Sequence, residues 1–166
     1  MMGSSIAERF RGWQQLANAG LIEGSYTGIG GPDGNNDHEP GINSPQGRIG
    51  GSGYSLVSYI NDPNGDGLYV SSGELSWLFE GLYKNYLVFG KQRVSEETSD
   101  PIISAEEAWN IDKKVDDGMP GLGSVRTRPN NVHANCSDGN STQGKTARYQ
   151  LNNAASEACS LHFLIF

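Results

Sequence analysis

The sequence predicts an α+β fold with an antiparallel sheet, and three observations carry that expectation. Helical apolar spacing opens the chain, short strand-like runs cluster later, and one short helix sits among them. The 166 residues suit a single domain, 1–166, large enough to bury a core. With 23 glycines among them, that core should be modest and wrapped in long turns. No internal repeat is evident. The formal net charge of −7 repels phosphate backbones and anionic lipid, so nucleic-acid binding is not expected.

The first helix is expected over residues 6–19. Ile6, Phe10, Trp13 and Ala17 form one apolar stripe, Leu16 widens it, and Gly20 supplies the stop. Residues 21–27 suit a short extended segment. Residues 28–53 hold Ile29, Ile42 and Ile49 as their only large aliphatics amid Gly, Pro, Asn and Asp. That composition predicts a long surface loop, and loops of such length commonly carry function. Strands are expected over 54–60 (YSLVSYI) and 85–92 (NYLVFGKQ), while 68–83 suits either a helix or short strands.

The strongest local signal is ISAEEAWNIDKKVDDGMP. Ser104 followed three residues later by Glu107 makes a capping box, Ala108, Ile111 and Val115 form the buried stripe, and Gly118 with Pro120 ends the helix. A short strand over 124–128, a polar loop around Cys136, a strand over 146–151 and a final strand over 159–166 complete the reading.

Several residue groups bear on chemistry. Gly139 to Thr146 spells the phosphate-loop pattern G-x-x-x-x-G-K-T, but polar, Pro-broken sequence precedes it where a buried parallel strand is required. Asp62, Asn64 and Asp66 place oxygens at positions 1, 3 and 5 of a calcium-type loop, with Gly67 at the sharp turn. The twelfth position is Gly73, with Glu74 one residue late, and every residue of DPNGDG also suits a plain turn. Asp116 and Asp117 lie in the last turn of the predicted helix, where its dipole disfavours negative charge, and Asp112 is one turn back. Two readings follow: salt bridges and hydrogen bonds to the following turn, or a cation shared by the three carboxylates. His38, His133 and His162 accompany no hydrolase or zinc motif. Cys136 and Cys159 are either two buried thiols or a bridge. A bridge would close a loop of about two dozen residues and contribute roughly 3 kcal/mol by the chain-entropy treatment.

Two stretches carry a resemblance. RGWQQLANAGLIEGSYTG, starting at Arg11, is similar to the end of the first helix in bacterial type IV pilin-like proteins, including type II secretion pseudopilins. AEEAWNIDKKVDDGMPGLGSVR, Ala105 to Arg126, resembles the helix and turn of many prepilin-type sequences, and the late Cys136 and Cys159 are placed like the disulfide that closes the pilin C-terminal region. Together these cover about a third of the chain. The resemblance implies a pilin-like fold: an N-terminal helix packed on an antiparallel sheet, a variable loop, and a disulfide-closed end. It implies a non-enzymatic subunit of a periplasmic or cell-surface filament, its partners being other subunits and the secretion or pilus assembly machinery. Some members of the family bind calcium near their sheet.

The family's leader and apolar half-helix do not occur in these residues, so no processing or methylation residue is assigned. Met1 to Ser5 read as a leftover of expression. The native gene is expected to encode about 30 further apolar residues, enough to anchor the precursor in the inner membrane. Phe10 and Trp13 should then lie on the helix face that receives the sheet. The competing expectation is a secreted, calcium-dependent binding module.

Overall fold

The structure, a computed structural model, describes residues 6–58, 67–71 and 75–165. It is α+β. Helix α1 (Ile6–Asn18) stops before Gly20. Strands β1 (Ser52–Ser58) and β4 (Asn85–Lys91) pair antiparallel from Ser52 opposite Lys91 to Ser58 opposite Asn85. Strand β6 (Leu161–Ile165) pairs with β4 on one side and with the two-residue β5 (Val125–Arg126) on the other. The four-stranded sheet therefore runs β1-β4-β6-β5, antiparallel throughout. The segment open to either reading forms a separate antiparallel pair, β2 (Leu68–Val70) with β3 (Gly81–Tyr83).

Period-two alternation gives the sheet two apolar faces. Tyr86, Val88 and Leu164 join Val57, Val70, Leu78 and Tyr83 in one cluster. Phe89, Leu161 and Phe163 meet the second, with Val125 and with Ala105 and Ala108 of helix α2 (Ala105–Val115). Both cysteines lie in that second cluster and are joined, their Cα atoms 5.0 Å apart.

Helix α2 starts as its residues dictate. The Ser104 hydroxyl accepts from the Glu107 N–H, and Glu107 reaches back to the Ser104 N–H at 2.9 Å. Those bonds from Ser104 hold the Glu107 carboxyl below its ordinary range. The buried stripe differs from the expected one. Ala108 is buried and Ile111 partly so, but Val115 is 61% exposed. The buried face runs Ala105, Ala108, Asp112, and the helix ends before another turn can bring an apolar residue round.

Three further expectations are corrected. Residues 21–24 form bends and 25–27 no regular element, and 146–151 form no strand, only one bridge between Ser137 and Tyr149. In that stretch the Arg148 N–H donates to Asp138 and the Gln150 amide to the carbonyls of Ala134 and Ser137, so loop contacts replace a ladder. The 28–53 loop is not confined to the surface. Asp37, His38, Asn43 and Ser44 are buried in it, and the His38 ring lies 4.5 Å from Phe10. Phe10 and Trp13 are both buried, and Gly12 passes close to Leu56 of β1, where an added Cβ would sit 3.3 Å from its Cδ1.

Candidate functional site

The carboxylates at the end of α2 come together. Asp112, Asp116 and Asp117 each offer an oxygen within 4.8 Å of the others'. Asp112 is fully buried because α2 turns it inward in register with Ala105 and Ala108. Its Oδ2 accepts from the Tyr149 hydroxyl at 2.8 Å and its Oδ1 from the Gly118 N–H at 3.1 Å. Burial raises the Asp112 carboxyl to about 6 against the opposing pull of those two donors, and the charges of Asp117 and Asp116 add to the rise. Tyr149 is pushed up in turn, first by burial and then by the carboxylate it faces.

Asp116 and Asp117 stay exposed and bind the turn that follows. Asp116 Oδ2 accepts from the N–H groups of Ser124 and Val125, and Asp117 Oδ1 accepts from Met119 N–H at 2.7 Å. The turn is built for this. Gly118 has φ 73°, a left-handed conformation that ends the helix without a Cβ penalty. Gly123 has φ 63°, and a Cβ there would collide with the Asp116 carboxylate. Backbone donors thus answer the unfavourable helix-end charge. Among the described residues no lysine or arginine pairs with these three carboxylates. Lys113 instead lies 4.5 Å over the Trp109 ring, and Arg126 lies over Tyr83.

Of the two readings for this corner, hydrogen bonding to the following turn is present. The salt bridges expected with it are not. The three carboxylates also form the one cluster of metal-type ligands among the described residues. A hard cation such as calcium prefers six to eight oxygens, so three side chains would hold one only with backbone carbonyls or water completing the shell. The Asp62, Asn64 and Asp66 loop lies outside the described residues.

The disulfide is part of the same assembly. Cys159 forms a bridge with Ile103 just ahead of α2, its carbonyl accepting from Ile102 N–H at 2.9 Å. The loop between the two cysteines carries Tyr149 to Asp112. The loop is therefore closed on itself by the disulfide and tied to both ends of α2 by hydrogen bonds, through Cys159 at the start and Tyr149 near the end. Tyr149 is the residue that sequence reasoning missed. It lies 37 positions from Asp112, and no spacing signals a contact of that range.

The phosphate-loop pattern folds into a 3₁₀ turn, Ser141–Gln143, capped by Asn140, with no parallel strand leading into it. The three histidines are all buried, and burial lowers each one, His133 to about 3 with the Arg128 charge assisting. No helix among the described residues is long and apolar enough to cross a membrane. The chain matches no family model, no curated protein and no solved structure.

Proposed function

We propose that this chain is the water-facing head of a pilin-like filament subunit, of the type IV pilus or type II secretion pseudopilus kind, and that it works without catalysis. One observation carries the reading: a leading helix and an antiparallel sheet are followed by a C-terminal region pinned through Cys136–Cys159. The two resemblant stretches lie on α1 and on α2 with its turn, in the family's order. On this reading α1 is the tail of a longer helix, with Phe10 and Trp13 docking it on the head, while the apolar half packs in the filament. Oxidation of the cysteines belongs to a periplasmic or surface location. Contacts between subunits would come from the 28–53 loop, which exposes Ile29, Ile42 and Ile49, and from the loop around Cys136.

The test is the coding sequence together with assembly. The native gene should encode about 30 mostly apolar residues upstream, and the complete protein should enter filaments with the cognate assembly machinery. A gene that starts at Met1 or Met2 would remove the reading.

A second reading is favoured by the proximity of Asp112, Asp116 and Asp117: calcium stabilises this corner, whether in a filament subunit or in a secreted binding module. Saturating calcium should then raise the melting temperature, and Asp117→Asn should abolish the rise. An unchanged melting curve in calcium would sink it.

A further inference from the structure

The cleft between α1 and the loops after β4 and β5 has a volume of about 490 Å³, within the range of small-molecule sites. Arg128, just after β5, lines it and is only 4% exposed. Among the described residues its guanidinium makes no ion pair or hydrogen bond, and its Nε is sealed from solvent without a partner. A guanidinium cannot shed its charge, and an uncompensated buried charge is costly. The groups behind it give no relief, because His133 and His162 are buried and neutral beside it.

The other charged groups of the cleft already have partners. Arg93 pairs with Glu96 at 3.3 Å and lies 3.9 Å from Asp100. Arg9 donates to the Asn36 side-chain oxygen at 2.9 Å, and the Asn36 amide donates to Glu97 at 3.2 Å. Glu97 is itself buried, yet no arginine lies within ion-pair distance of it. Three arginines and two glutamates line the cleft, and Asp100 stands just outside it against Arg93. Trp77 and Val132 add an apolar wall, and Trp77 is 38% exposed.

We infer that this cleft binds a monocarboxylate carrying an apolar or aromatic group, its carboxylate on Arg128 and its apolar part against Trp77 and Val132. A planar carboxylate matches the guanidinium fork. A carboxylate would supply the acceptor that Arg128 lacks, whereas a phosphate dianion would crowd the two glutamates. The inference stands on the cleft alone and is independent of the filament reading.

The test is an NMR titration of the whole chain, following the Arg128 Nε–H and Trp77 indole N–H signals. Phenylacetate should shift both saturably, and phenylacetamide, which lacks the charge, should shift neither. An acetyl-blocked dipeptide ending in phenylalanine, compared with its C-terminal amide, reads the second source of the same chemistry, a chain terminus. The tighter of the two carboxylates identifies the source. Arg128→Met should weaken binding at least about tenfold while melting no lower than the parent, since it keeps the stem and removes the charge. Trp77→Ala should weaken binding about fivefold. Absence of a saturable shift with both carboxylates overturns the inference. So does inorganic phosphate binding as tightly as phenylacetate, or an Arg128→Met protein that melts well below the parent.

Discussion

At the end of α2, the buried carboxylate of Asp112 meets two donors, and its exposed neighbours each hold a backbone N–H. Around Arg128 the buried nitrogens are left open: Arg128 Nε, His133 Nδ1 and both ring nitrogens of His162 have no hydrogen-bond partner among the described residues. Both regions bury polar groups beside the same sheet. They differ in what surrounds the groups. The acidic turn lies where a helix ends and a tight turn begins, and its free N–H groups are a ready supply of donors. The basic interior gathers Arg128 and His133 from the loop after β5 with His162 of β6, and burial keeps its histidines uncharged. Protonation consequently acts on the two regions in opposite directions, which gives the experiments their order.

The largest effect expected is acid destabilisation through the basic interior. His133 titrates at about 3 in the folded chain, against 6.5 for an ordinary histidine. The unfolded chain therefore binds the proton first, and stability falls as pH drops from about 6.5 towards 3. One such group contributes up to about 4–5 kcal/mol across that window. In urea unfolding followed against pH, His133→Gln should flatten the decline. A parallel decline in parent and variant would break the contrast.

Opening the disulfide comes next. Cys136→Ala with Cys159→Ala should cost roughly 3 kcal/mol and lower the melting temperature by about 6–12 °C. Tyr149 fluorescence or hydrogen exchange in its loop should show the fastening to α2 loosened.

The acidic turn should respond in the opposite sense to the histidines. The folded Asp112 carboxyl titrates at about 6 against an ordinary 3.8, so the native chain keeps a proton that the unfolded chain has lost. Its contribution is full below about pH 4 and fades as pH rises through 6, by about 2–3 kcal/mol at most. Tyr149→Phe removes a donor to the charged form. It should cost about 1.5–3 kcal/mol at pH 7 and less at pH 5, and an equal cost at both pH values would mean that Asp112 does not titrate there. The smallest effect is at the other end of the helix. Ser104→Ala should cost about 1 kcal/mol, with little dependence on pH above 5.

The parts of this molecule that were legible in the sequence are those whose cause is local. The Ser104–Glu107 box spans three residues, and the alternation in β1 and β4 lies within each strand, so both could be read directly. The Asp116 and Asp117 anomaly was legible as a problem, because helix-end charge is a local cost. Its solution in the N–H groups of Met119, Ser124 and Val125 depended on the path of the turn. Val115 was misplaced because apolar spacing does not reveal where the tertiary contact stops. The 146–151 stretch has strand composition, but its neighbours offered loop carbonyls instead of a sheet edge. The cleft was invisible for a similar reason: Arg9, Arg93 and Arg128 are separated by many residues, and only the fold brings them to one wall.

The strand order has a consequence for how the chain is made. Strand β6, which follows β5 in the chain, occupies an interior position with β4 on one flank and β5 on the other. Before it emerges, the sheet consists of the β1–β4 pair, and the two-residue β5 lacks its partner. Closure must wait until residues 161–165 emerge, and such long-range pairing is slow. Until then the β4 edge is open to a chaperone, to a translocation channel, or to a second copy of the chain.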